Sequence, residues 1–290
     1  MDAEANPPIP PPVPGLGLPV SATPPSSSVA GQAFVSIPAP TPPPAPPRPA
    51  LERVPGWLAL IVFYGGLVLL SSAGVLDRLN AVLLGVLVPT IIMHEVCHGL
   101  VANAFGDDTA KRAGRLTWNP MAHVDLFGTI LLPALMVLTV GWGFGYAKPV
   151  PVDVSKLRSP RNQGLLVALA GPASNLAIVV LTILIARVSP MGVDFHTAVT
   201  WSDLPLWAVV VYAAGVVNIS LGVLNLLPLP PLDGSAILER LLPERHWPNY
   251  LRFRAMAMPA MILVLFVARA PLTALFGHVE AWYASVAGLS

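Results

Sequence analysis

The chain has 290 residues, 54% of them hydrophobic and 11% charged, against about a quarter charged in an ordinary soluble domain. With a mean hydropathy of +0.69 this excludes most soluble folds and places the chain in the membrane class. A net charge of +1 offers no basic field to nucleic acid, and a single cysteine, Cys97, excludes an internal disulfide framework.

Residues 1–50 hold half of the 34 prolines and only Asp2, Glu4 and Arg48 as charges. Proline lacks a backbone donor and fixes φ, so this stretch reads as a disordered, extended tail. The basic start and apolar core of a signal peptide are missing from it. A solvated tail is the plainer reading, and a docking site for a proline-recognising partner the sharper one. Residues 51–290 read as one integral-membrane domain with its core at 81–243.

Apolar stretches follow at 57–76, 81–104, 128–147, 163–186, 204–227 and 255–276, each near the roughly 20 residues that cross about 30 Å of hydrocarbon. The expected fold class is an all-α polytopic membrane protein of five or six transmembrane helices. The stretch 81–104 carries one formal charge, Glu95, within His94-Glu95-Val96-Cys97-His98. On a helix, positions i and i+4 share a face, so both imidazoles reach one Zn²⁺ while Glu95 sits beside the zinc-bound water. A carboxylate there takes the water's proton and later passes it to the leaving amine. Placing a glutamate in a span costs about 2.5 kcal/mol or more, which marks it as functional. The plainer alternative has the two histidines hydrogen-bonded to neighbouring helices. Cys97 reads as a small buried hydrophobe.

Within 107–127, Lys111 to Leu116 and Leu116-Thr117-Trp118 suit a short β hairpin near the site, an edge on which an extended peptide can pair. His123 and Asp125 read as polar loop groups. In 128–147, Pro133, Gly141, Gly143 and Gly145 suit a re-entrant path buried against protein. Cytoplasmic loops collect Lys and Arg. If all six stretches cross, the two sides receive seven and nine basic residues; if 128–147 returns on its own side, they receive thirteen and three. The expectation is five crossings, one re-entrant segment and a cytoplasmic N-terminus.

Asn175, in Gly171-Pro172-Ala173-Ser174-Asn175, is either a buried amide tying helices together or a group that meets substrate. Asn225 precedes a proline-rich turn and suits donation to a substrate carbonyl or oxyanion. Catalytic zinc usually takes three protein ligands, and Asp233 is the acid available. Pro228, Pro230 and Pro231 stop the fifth helix and force an extended backbone before Asp233-Gly234. At 1.5 Å per residue, His98 and Asp233 both lie roughly 12 to 15 Å from one face. That agreement requires an odd number of crossings between the second and fifth stretches, which the re-entrant topology supplies. Residues 277–290 read as a short interfacial helix.

These residues resemble the site-2 protease family of intramembrane zinc metalloproteases, in its compact prokaryotic branch without PDZ or CBS domains. The likeness spans about 90–243. It rests on His94 to Gly99, Asn119-Pro120 with Gly128-Thr129, Ala170 to Asn175, and Asn225 through Asp233-Gly234. It implies one Zn²⁺ per chain held by His94, His98 and Asp233, with Glu95 as general acid/base and Asn225 in the site. It also implies cleavage of membrane-spanning protein substrates in a prokaryotic cell membrane. A zinc-dependent transporter would need more polar residues than the Thr90 and Tyr212 found in 81–93 and 204–217. Glu239 as third ligand lies in a basic, interfacial stretch, and a catalytically silent zinc-binding scaffold would not need Glu95.

Overall fold

The computed structural model describes residues 54–131, 146–188, 201 and 203–289. The proline-rich tail and most of the expected re-entrant segment lie outside these residues. Helix α1 (Gly56–Ser72) ends at Gly74, whose φ of 70° lies in the left-handed region that glycine tolerates. Helix α2 (Arg78–Ala104) is capped by Asp77, whose side chain accepts the Asn80 N–H at 3.0 Å. Pro89 within α2 has no N–H to give to the Gly85 carbonyl, and the Tyr64 hydroxyl of α1 donates there instead at 2.8 Å. A freed carbonyl in an apolar setting is thereby satisfied by the neighbouring helix.

The remaining helices are α3 (Pro160–Val188), α4 (Leu206–Leu226), α5 (Ser235–Leu241), α6 (Trp247–Ala255), α7 (Ala257–Val267) and α8 (Arg269–Ala287). Among the described residues α2, α3 and α4 are each long and apolar enough to cross a membrane, and α1 is a shorter apolar helix. The chain is an all-α integral membrane protein.

Side-chain contacts fix the helix directions. Arg78, opening α2, donates to the carbonyls of Trp201 at 3.0 Å and Leu204 at 2.8 Å, just before α4. Asp107, just past the end of α2, accepts the Asp153 N–H at 2.6 Å, close to the start of α3. Helices α2 and α4 therefore run parallel, with α3 antiparallel between them, which is the parity the metal motif requires. The flanks of 132–145 also meet. The Tyr146 N–H donates to Gly128 O at 3.0 Å, and the Thr129 hydroxyl to Tyr146 O at 2.9 Å. A Cβ on Gly128 would come within 2.4 Å of the Tyr146 ring.

Three expectations are corrected. The hairpin at 107–127 is absent: Thr109–Arg112 forms a helical turn, Pro120–Ala122 a 3-10 turn, and no strand occurs among the described residues. The neighbouring segment Lys148-Pro149-Val150-Pro151 has two residues without N–H groups and cannot build a ladder. The stretch 255–276 is two helices broken at Ala268, because Pro271 has no N–H to donate to Val267 and fits only a first helical turn. Residues 277–287 are no interfacial helix but the second half of α8. There Tyr283 is fully buried, in one cluster with Val179, Ala186, Tyr212, Ile219 and Ala287.

Candidate metal centre

His94 and His98 lie one turn apart on α2 and both are buried. Asp233 reaches them from the turn before α5. That turn is pressed against the end of α4: the Gly234 N–H donates to Asn225 O at 2.6 Å, and a Cβ on Gly234 would meet the Leu226 carbonyl oxygen at 2.3 Å. Only glycine lets the backbones approach so closely. Leu232 and Met261 form a buried pair with Leu224, Leu227 and Leu272 around them, so α7 and the start of α8 cover the turn.

Three acceptor atoms converge. His94 Nε2 lies 3.0 Å from His98 Nε2 and 3.0 Å from Asp233 Oδ2, which is 3.4 Å from His98 Nε2. Donors at about 2.0 to 2.1 Å around one tetrahedral ion stand about 3.3 Å apart. The opposite ring nitrogens explain why. His94 Nδ1 donates to Asn175 Oδ1 at 2.8 Å and His98 Nδ1 to Val167 O at 2.7 Å. With both Nδ1 atoms facing acceptors, each neutral ring carries its proton there and presents a bare lone pair at Nε2. Two such lone pairs beside a carboxylate oxygen repel one another unless a cation sits among them. Such outer partners commonly fix metal-ligating imidazoles.

Gly171 of α3 completes the cradle. A Cβ there would stand 2.4 Å from His98 Nε2 and 2.5 Å from His94 Nε2, so the bare glycine keeps space for the imidazoles. The donor set and the space around it fit zinc.

Glu95, the residue after His94 on α2, is held by a backbone contact. Its Oε2 accepts the Val150 N–H at 2.8 Å, which fixes the carboxylate against the segment leading into α3. Asn175 sits behind His94 as an orienting partner, its Nδ2 buried without a partner among the described residues. The Asn225 amide donates within its own helix to Leu221 O at 3.0 Å, and its carbonyl holds Gly234. Asn218, not singled out from the sequence, donates to the Thr90 hydroxyl at 3.1 Å and ties α4 to α2 one turn before His94. Gly171 stood inside a quoted motif, but its closeness to both imidazoles required the packed helices.

The sequence profile of peptidase family M50 matches residues 190–268, which include the Asp233 turn. A relative from Bacillus subtilis (strain 168), named "Putative zinc metalloprotease YwhC", is 40% identical over 158 residues, 54% of this chain and 67% of that protein. Two Rip2 proteins carry the same description. The one from Mycolicibacterium smegmatis is 32% identical and that from Mycobacterium tuberculosis (strain H37Rv) 34%, each over 208 residues, 69% of this chain and 72% of theirs. The chain belongs to peptidase family M50. No solved structure matches it. As an M50 member it is a zinc metalloprotease, and its apolar helices make it an integral membrane one.

Proposed function

We propose that this M50 peptidase cleaves peptide bonds of membrane-spanning proteins, with zinc held by His94, His98 and Asp233 and with Glu95 moving the proton. The observation that carries this reading is the convergence of two imidazoles, each with Nδ1 facing an acceptor oxygen, and one carboxylate oxygen inside an apolar helix bundle. Zinc in such a site polarises the scissile carbonyl and brings the pKa of water to about 7. The chain's own residues supply the rest. Asn175 Oδ1 and Val167 O orient the imidazoles and turn Nε2 of each ring toward the metal position. The Val150 N–H holds Glu95 Oε2, and the carboxylate takes up the proton of the attacking water and returns it to the leaving amine. The Asn175 Nδ2 donor is available to a substrate carbonyl or oxyanion.

His98 stands six residues before the end of α2, roughly 9 Å of helix rise, so the site is close to the face that bears α5 and the Asp107 loop. We place that face, and the N-terminus, in the cytoplasm of a prokaryotic cell. The clasp of Tyr146 on Gly128 supports a return of 128–147 on one side. Arg187 donates to Val286 O at 2.7 Å, so α8 ends beside the end of α3 and begins at the opposite face. Arg269 then joins the cytoplasmic side, leaving Arg78 and Arg187 as the basic residues of the other, a stronger bias than thirteen to three.

The test is cleavage of a single-span substrate by purified protein in lipid, with Glu95→Gln as control. Cleavage by the wild type and none by a zinc-loaded Glu95→Gln protein is the expected result. Equal cleavage by both removes the proton role of Glu95, and cleavage by neither favours the silent scaffold.

A further inference from the structure

Glu95 is held by one backbone N–H, and what holds that N–H is a buried arginine from a different loop. Arg115 is only 4% exposed. Its Nη2 donates to the Lys148 carbonyl at 2.7 Å and the Pro149 carbonyl at 3.3 Å. The next peptide N–H, that of Val150, is the one donated to Glu95 Oε2 at 2.8 Å. Two prolines, Pro149 and Pro151, flank Val150 and remove the other N–H groups through which this stretch could be anchored. The Lys148 N–H adds one more tie, to His123 O at 2.9 Å.

The side chains around this relay are seated as tightly. Gly99, one turn after Glu95 on α2, would bring a Cβ to 2.4 Å from Leu116 Cδ2, 3.0 Å from Val150 Cγ1 and 3.2 Å from Ala110 Cβ. The neighbour of Arg115 and the residue that donates to Glu95 thus share one hollow on the helix that carries the carboxylate. Burying an arginine is costly unless its donors are used, and here Nη2 is placed on the two carbonyls before Val150.

We propose that Arg115 is a positioning residue for the reaction: through the Lys148-Pro149 carbonyls it sets the Val150 N–H that aims the Glu95 carboxylate. This rests on the reading of Glu95 as the proton carrier. Misplacing a catalytic group by about 1 Å costs about 100-fold in rate. Arg115→Ala is therefore expected to lower kcat about 10- to 100-fold with KM changed less than twofold and one zinc per chain retained. Arg115→Lys, which keeps a cation able to donate to both carbonyls, is expected to recover a larger share of kcat than alanine does.

The experiment measures kcat, KM and zinc content of the wild type, Arg115→Ala, Arg115→Lys and Glu95→Gln in lipid. Hydrogen exchange of the peptide containing Val150 is followed in the same samples and in Glu95→Ala. Faster exchange there in both alanine variants is the expected companion result, and the Glu95→Ala arm leaves Arg115 intact should Arg115→Ala not fold. An Arg115→Ala protein with wild-type kcat, a loss carried by KM or zinc, or unchanged exchange in Glu95→Ala would overturn the inference. Full activity of Glu95→Gln would instead overturn the reading beneath it.

Discussion

Gly171→Ala changes one hydrogen to a methyl, and the structure places that methyl against both ligand nitrogens. Its Cβ would stand 2.4 Å from His98 Nε2, 2.5 Å from His94 Nε2 and 2.6 Å from His94 Cε1. Ordinary contact begins near 3.4 Å, so the rings must retreat by about 0.9 Å, whereas metal-ligand distances tolerate about 0.2 Å. Neither ring can retreat freely, because the bonds from Nδ1 to Asn175 at 2.8 Å and to Val167 at 2.7 Å hold them. Giving up one buried bond costs about 1 to 3 kcal/mol, or about 5- to 150-fold in zinc affinity. Alanine is the better helix former by about 1 kcal/mol, so the helix itself should not suffer. Zinc competition titration of the purified variant, beside its thermal unfolding, separates the two effects. A Gly171→Ala protein that binds zinc with wild-type affinity would refute the placement of α3 against the imidazoles.

Gly215 makes room for Tyr283, since a Cβ there would lie 1.9 Å from the ring; Gly215→Ala should cost about 1 to 3 kcal/mol by overpacking. In thermal unfolding, the double variant with Tyr283→Ala should be no less stable than Tyr283→Ala alone. Asp107 is fully buried; burial pushes its carboxyl up, but hydrogen bonds from Thr109 and Asp153 and the Lys156 ammonium outweigh this and hold it below the usual range. Its contribution to stability is therefore complete above the ordinary carboxylate pKa and lost as pH falls through the lowered value. Tm should hold from neutral pH to about 5 and fall below about 4, with a shallower fall in Asp107→Asn. A topology reporter fused after Lys148 should score on the same side as one fused after Gly114, and opposite scores would end the re-entrant assignment.

The candidate metal site was legible because its chemistry is scarce. A helix with one carboxylate between two histidines four apart, and one further acid after a proline-broken helix, left few other arrangements. The parity of the crossings could be argued from loop charges alone, and the contacts of Arg78 and Asp107 agree with it. Arg115 was not legible, because in the sequence it is one more positive loop charge, and only the fold shows it buried against two carbonyls. Local pattern likewise suggested a hairpin near Leu116, whereas Pro149 and Pro151 deny the neighbouring segment its ladder. The α8 segment looked interfacial from Trp282, Glu280 and His278, but its place is set by Tyr283 entering the hollow at Gly215, a long-range contact with no local signature. Asn225 drew attention as a polar group near the site; its side-chain amide donates to Leu221 O and its backbone carbonyl accepts the Gly234 N–H.

Zinc K-edge absorption of the purified protein reads the ligand set itself, since the three donors converge on one point. The expected spectrum shows one zinc per chain with two imidazole nitrogens and a carboxylate oxygen at about 2.0 to 2.2 Å, and Asp233→Ala should lose the metal. A sulfur shell near 2.3 Å from Cys97, or full zinc occupancy after Asp233→Ala, would contradict that ligand set.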